Sequence, residues 1–231
     1  MRAPKSKPAI SFLLTSLLLI WTVPAWSVDK SKDEETIKNA TTVLQAMLNS
    51  KVVPDSLLVT ADCIIVLPGV KKFAVGVGGT GGRGPMSCRD KNFTGEKWSA
   101  PAMFTIGGAS AGLQIGGSSS DFVLLIMAPA AVNKVLAGKT KIGADLTAAA
   151  GPSSASATGA VGGADIVTYR RAEGLFAGVS LNGASLESDS SADQRLYDKA
   201  VSARDVVLDS GVQATPAGQS LVTLLDSRDW H

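Results

Sequence analysis

Three segments of the chain join strand-like apolar residues through runs of glycine: FAVGVGGTGGRG (73–84), FTIGGASAGLQIGG (104–117) and LFAGVSLNG (175–183). Glycine offers no side chain to pack and loses the most freedom on ordering, so inside a strand it weakens the strand unless geometry requires it. The requirement it meets there is a bend, a bulge or a close approach of two backbones. Three such segments predict a strongly curved, barrel-like sheet that coils through its glycines. With helical patterns before and after, the expected class is α+β: a strongly curved, glycine-rich antiparallel β-sheet with helices at the N- and C-terminal ends.

Residues 33–48 carry Ile37, Ala40, Val43, Leu44, Met47 and Leu48 at helical spacing, and Ser31 and Glu34 stand at capping-box positions. Residues 54–58 predict a second short helix. CIIVL (63–67), stopped by Pro68-Gly69, predicts a buried strand, and Phe73, Val75 and Val77 alternate as in another. Residues 103–106, 113–115, 121–127, 166–169 and 175–181 predict further strands, and 148–163 a small-residue loop or weak strand. Residues 129–136 predict a helix, with Pro129 at its start and Gly138 past its end. Residues 191–208 and 216–225 predict two more.

Arg2, Lys5 and Lys7 precede an apolar run of 12 residues (12–23), and Ala25-Trp26-Ser27 offers a small-x-small cleavage site. This is the pattern of a secretory signal peptide over residues 1–27, its apolar part short for a membrane span. The expected product, 28–231, is one domain with a C-terminal helical extension from about 209, located in the periplasm or at the membrane periphery. Residues 1–27 hold three of the 22 Lys and Arg and none of the 20 Asp and Glu. The remainder is therefore 19 basic against 20 acidic, net −1, which argues against a general nucleic-acid binder.

Cys63 and Cys88 are the only cysteines. An even pair in an exported chain reads as one disulfide, worth roughly 3 kcal/mol for the loop it closes; two buried thiols are the other reading. With one histidine, His231, they make a weak zinc signal, and neither metal nor cofactor is expected.

Gly108-Ala109-Ser110-Ala111-Gly112 spells G-x-S-x-G, the nucleophile elbow of many serine hydrolases. That elbow needs a strand, a sharp turn, a helix and a histidine base. Here Leu113 and Ile115 alternate as in a strand, Gly112, Gly116 and Gly117 oppose a helix, and the sole histidine is terminal. Gly76 to Gly81 matches G-x-G-x-x-G, but Gly82, Gly84 and Pro85 follow where a helix should open. Glu187, Asp189 and Asp193 flank a helix start, where acids favour the dipole. The expectation is a protein that is not an enzyme, with a hydrolase at Ser110 as the catalytic alternative.

Residues 70–97 carry Lys71, Lys72, Arg83, Arg89, Lys91 and Lys97, opposed by Asp90 and Glu96 alone. Lys139, Lys141, Arg170 and Arg171 add further positive pairs. A solvated face and an anionic-membrane contact are the two readings of such clustering.

The fragments ADCIIVLPGVKKFAVGVGGTGGRG, KWSAPAMFTIGGASAGLQIGGSSSDFVLLIM, KIGADLTAAAGP and TYRRAEGLFAGVSLNGASLESD, in this order and spacing, resemble the SYLF domain family over about residues 36–208. The resemblance implies non-catalytic lipid binding. Eukaryotic members bind phosphoinositides through basic residues and an N-terminal amphipathic helix, and some bind actin. By position it points to Lys71 and Lys72, in the basic turn after Pro-Gly, and to Arg170 and Arg171, in the Tyr-x-Arg segment before Gly174. Arg83 and Arg89 join them as candidate phosphate contacts. Cys63 and Cys88-Arg89 resemble a variant among exported bacterial members. The expected partner is thus an anionic lipid or membrane surface (phosphatidylglycerol, cardiolipin or lipid A phosphates), with an envelope protein partner as the alternative and no nucleic acid. The 33–48 helix is preceded by a mixed-to-acidic DKSKDEE, a poor insertion face, so its apolar stripe either inserts or packs on the sheet.

Overall fold

CIIVL and DFVLLI lack the alternation of a half-buried strand because both faces of the strands they form are covered. Ile64, Val66, Val123 and Leu125 enter one core cluster, while Cys63, Ile65, Leu67, Phe122, Leu124 and Ile126 enter a second on the other face. The structure, a computed structural model, describes residues 25–75, 77–89, 97–111, 116–152, 161–179, 181–209 and 211–227.

The strands are β1 (Cys63–Val75), β2 (Val77–Cys88), β3 (Ala102–Ala111), β4 (Gly116–Ile126), β5 (Thr140–Lys141), β6 (Ala148–Ala150), β7 (Ile166–Ala172), β8 (Leu175–Gly178) and β9 (Ser185–Ser188). They form one curled half-barrel sheet in the order β5-β9-β3-β2-β1-β4-β7-β6, and β8 also pairs with β7. The named pairs are antiparallel except β6 with β7. One face is covered by α1 (Ala25–Ser50), α2 (Asp55–Thr60), α4 (Ser190–Tyr197) and α6 (Pro216–Asp226). The other is covered by α3 (Pro129–Leu136) and α5 (Ala203–Leu208). The expected class is therefore found, an α+β fold with a curled sheet and helices at both ends.

The curl has a local cause. The expected stop at Pro68-Gly69 is instead a bulge within one long strand. Pairing of β1 shifts between Ile65 and Lys71 against β2 and between Leu67 and Val70 against β4, with Gly69 at φ 60°. A bulge tolerates proline and a left-handed glycine and increases twist. Beside it, β2 runs so close that a Cβ on Gly84 would overlap the Val66 carbonyl oxygen, and one on Gly82 would sit 2.6 Å from Val70 Cγ2. Phe73 and Val75 complete β1 and Val77 opens β2, so their alternation spans a hairpin, not a separate strand.

Other expectations shift for identifiable reasons. The first helix begins at Ala25, so Ser31 and Glu34 lie inside it and form no N-terminal box. Tertiary contacts extend it: Lys30 pairs with Asp198, and Asp33 lies in a buried ion cluster. The helix expected over 191–208 is two helices. Asp198 takes a left-handed φ of 53°, and Ser202 with Asp205 forms a true capping box that restarts the chain as α5. Strand β9 was not foreseen, and the strand expected at 113–115 lies outside the described residues.

The apolar stripe of α1 is buried on the sheet, with Ile37, Ala40, Leu44 and Met47 all at 0% exposure. Leu221, Val222 and Leu225 of α6 join the same cluster, so the segment beyond 209 packs into the domain core. Cys63 and Cys88 sit opposite each other on β1 and β2 and are bonded, S–S 2.02 Å. No helix among the described residues is long and apolar enough to cross a membrane.

Gly84→Ala is expected to cost about 3 kcal/mol or more, because a backbone carbonyl cannot move aside as a side chain can. Gly81→Ala, whose Cβ meets nothing within 4 Å, is expected to stay within about 0.5 kcal/mol of the parent. Denaturant melts of the two variants check this; equal midpoints would contradict the close approach.

Candidate functional site

Residues directly opposite in a ladder point to the same side of a sheet. Lys72 of β1 faces Thr80 of β2 and Ser118 of β4, and Thr80 faces Gly108 of β3. Val70 faces Ser120, and Phe122 faces Arg170 of β7. In a flat sheet these five strands would span about 19 Å. The curl instead brings all eight positions around one cavity of about 180 Å³, closed on another side by Val179, Leu181, Asn182, Gly183 and Ala184. That segment is held in place from both ends. Val179 N–H donates to Thr168 O and the Thr168 hydroxyl donates to Val179 O, while Gly183 N–H donates to Ile142 O at 2.8 Å.

The cavity holds two cations, three hydroxyls and one amide, over apolar surface from Val70, Phe122 and Leu181, and its lining contains no carboxylate. Lys72 and Arg170 are exposed, and neither has an ion pair among the described residues. The neighbouring acid, Asp121, alternates to the other face. There it accepts from Gly69 N–H at 2.8 Å and from Arg171 Nε at 2.8 Å.

The six cationic candidates therefore do not form one patch. Lys71 is exposed on the face opposite Lys72. Arg83 pairs with the fully buried Asp33 and lies 3.4 Å from Asp189. Arg171 pairs with Asp121 and lies over the Phe176 ring at 5.6 Å. Arg83, Arg171 and Asp121 share a cleft of about 360 Å³ against α1, but both arginines are already ion-paired, Arg171 with Asp121 and Arg83 with Asp33. Arg89 is buried: Nε donates to Ala61 O and Nη2 to Leu58 O, both at 3.0 Å, and the guanidinium lies 4.8 Å from the Trp98 ring. It satisfies carbonyls at the C-terminus of α2, where a cation also complements the helix dipole.

The acids at the start of α4 act structurally. Asp189 caps the helix by accepting from Ala192 N–H at 3.0 Å, as expected from the sequence. Asp33 joins α1 to the sheet through Arg83 and to α4 through Arg195, whose Nε is 2.8 Å away. Asp193 accepts from Met103 N–H at 2.7 Å. Burial pushes its carboxyl up to about 7, helped by Asp189 and Asp33 and opposed by the Met103 hydrogen bond and Arg83.

Ser110 lies in β3, paired with Gly78. The next described element is β4, a strand, so among the described residues no helix follows β3 as a nucleophile elbow requires. Residues 77–81 of the G-x-G-x-x-G string likewise run along β2 instead of opening a helix. Among the described residues no cluster of His, Cys, Asp or Glu could hold a metal ion. The uncharged cavity residues were missed in the sequence, although Ser118, Ser120 and Phe122 stand at the two-residue spacing of one strand face.

Comparison with known proteins places this architecture. The family described as "Ysc84: Las17-binding protein actin regulator" matches residues 107–228. The chain belongs to the Ysc84, or SYLF, family. It is 34% identical over 191 residues to the SH3 domain-containing protein PJ696.02 of Schizosaccharomyces pombe, covering 80% of this chain and 43% of that protein. It is 29% identical over 217 residues to Protein YSC84 of Saccharomyces cerevisiae, covering 88% and 45%. The human SH3 domain-containing YSC84-like protein 1 is 31% identical over 182 residues, covering 77% and 52%. The chain thus spans about half the length of these relatives. No solved structure matches significantly. The family's description is that of a binding protein and regulator.

Folded Asp193 keeps its proton up to about pH 7, whereas an unfolded aspartate loses it near the ordinary value of 3.8. The folded state binds the extra proton between these limits, so this group's contribution to stability falls as pH rises from about 4 to about 7. Asp193→Asn retains a neutral acceptor for Met103 N–H and is expected to flatten the fall in Tm across that window. An equally steep fall in the variant would contradict the assignment.

Proposed function

We propose that this domain binds anionic phospholipid at a membrane surface, without catalysis, through the hairpin end of the curled sheet. The observation that carries this reading is the division among its cations. Arg83, Arg89 and Arg171 are committed to internal partners, whereas Lys71, Lys72 and Arg170 are exposed and lack ion pairs among the described residues.

A second feature supports the same end. Leu175, 77% exposed, opens β8 directly after the β7 turn. Along β7 the chain leaves Arg170 and Arg171 for that turn, in the direction in which β4 runs from Phe122 back to Ser118 beside Lys72. An apolar tip next to unpaired cations suits an anionic interface. The stripe of α1 is already buried, which favours the sheet end over the helix as the contact. If residues 1–27 direct export, the available lipids are those of the bacterial envelope: phosphatidylglycerol, cardiolipin or the phosphates of lipid A.

A second reading rests on the relatives. Two are named LAS seventeen-binding protein 3, from two strains of Saccharomyces cerevisiae, and a protein partner in the envelope is the corresponding proposal here.

Each cation contributes about 1 kcal/mol near an anionic surface, so three amount to roughly a hundredfold in binding at low salt. Flotation with phosphatidylcholine vesicles, with and without phosphatidylglycerol or cardiolipin, tests this. Binding is expected to rise with anionic content, fall with salt and drop roughly a hundredfold in the Lys71/Lys72/Arg170→Ala triple variant. Failure to bind any vesicle at low salt would remove the lipid reading, and a co-purifying protein retained by the triple variant would favour the partner reading.

A further inference from the structure

We propose that the cavity between the curled sheet and the wall formed by Val179 and residues 181–184 seats one phosphate ester of a small polyol, whether as the head of an anionic lipid or as the same group free in solution. This goes beyond a general attraction to charged surfaces. It assigns one cavity, one stoichiometry and a ligand chemistry, and it rests on the lipid reading only for the ligand's source.

Charge is the first argument. Lys72 and Arg170 converge on the cavity from β1 and β7, two strands separated by β4, with no carboxylate in the lining. Two cations on one cavity wall, without ion pairs among the described residues, leave a positive potential that a phosphate monoester dianion neutralises and a phosphodiester halves. The arginine fork can hold two phosphate oxygens at once, and the lysine acts as a mobile point charge.

Polarity is the second. Thr80, Ser118 and Ser120 bring hydroxyls from β2 and β4, and Asn182 brings an amide from the covering segment. Hydroxyl groups donate and accept, and an amide offers both functions. This set complements a ligand bearing hydroxyls beside its phosphate better than it complements a bare alkyl carboxylate. Val70, Phe122 and Leu181 supply apolar surface for the carbon edges of such a ligand.

Size is the third. A volume of about 180 Å³ corresponds to roughly six waters at their liquid volume. It lies below the roughly 300–1,000 Å³ of pockets that enclose drug-sized molecules. A phosphorylated polyol fits; a whole acyl chain does not, so the tails of a bound lipid would remain outside with the bilayer. The cleft on the other face is larger, about 360 Å³, but it contains Asp121, and both its arginines are already paired.

The test is titration of the purified, isotope-labelled protein by NMR with glycerol 3-phosphate, inorganic phosphate, glycerol and dihexanoyl phosphatidylglycerol below its micelle concentration. The proposal expects saturable shifts confined to amides around Thr80, Gly108, Ser118 and Asn182 with the phosphorylated polyols, and none with glycerol. Lys72→Ala and Arg170→Ala are each expected to weaken binding by about tenfold or more, whereas Lys38→Ala, on the exposed side of α1, leaves it unchanged. Arg170→Lys separates the fork from simple charge and is expected to lie between parent and Arg170→Ala. Binding of glycerol 3-phosphate without the short-chain lipid would assign the site to a soluble ligand, and binding of both would assign it to lipid headgroups. Absence of saturable shifts with either, or shifts spread over every lysine-rich surface and weakened equally by Lys38→Ala, would overturn the cavity. In that case vesicle flotation that still depends on anionic lipid would leave membrane binding standing, so the two proposals fail separately.

Discussion

The carbonyl of Val66 lies against β2 where Gly84 stands, with no room for a side chain between them. That contact is the hinge of the sheet. It occurs beside the Pro68-Gly69 bulge, where β1 slips register against both neighbours. A bulged strand twists more strongly, and a partner can follow it closely only if its backbone is bare. Below the bulge, β1 and β4 are apolar on both faces and lie between helices. Above it, the same strands carry Lys72, Ser118 and Ser120 around an open cavity. One backbone constraint therefore separates a half of the sheet packed between helices from a half that opens on the cavity.

The charges obey a similar division. Asp33, at 0% exposure, would be costly to bury alone; Arg83 and Arg195 compensate it and in doing so join α1 to the sheet and to α4. Arg89 completes the end of α2 through two carbonyls. Arg171 and Asp121 neutralise each other while Asp121 also receives the amide of Gly69 at the bulge. The arginines that appear in the sequence as a basic run thus fasten helices and the bulge. The cations left over are those whose strand positions face no acid.

Much of the architecture was legible in the linear pattern. The periodicity of Ile37 to Leu48 marked the helix and its apolar side, the unbroken CIIVL run marked a buried strand and DFVLLIM a further strand, and the glycine runs marked curvature. What misled was local. Pro68-Gly69 reads as a stop because proline and glycine usually end strands, yet a bulge admits both. Ser31 and Glu34 read as a cap because the contacts that extend α1, from Lys30 to Asp198 and from Asp33 to Arg83, lie 168 and 50 residues away in the chain. The break at Asp198 was hidden because aspartate tolerates the left-handed conformation that glycine more often marks.

Composition and spacing determined that the chain holds a glycine-curved sheet with helices at both ends and that its cysteines are suited to pairing; resemblance of its quoted fragments to a known family, not composition, pointed to a binding domain. They also supplied the candidate cations. Which cations are free was decided only in three dimensions. Adjacent residues on a strand point to opposite faces, so Lys71 and Lys72, or Arg170 and Arg171, part company as soon as the sheet forms. Whether each then meets an acid depends on the strand or helix that packs there. Register and curl, set by the contact at Gly84, bring Lys72 and Arg170 to one cavity while Arg171 turns away to Asp121.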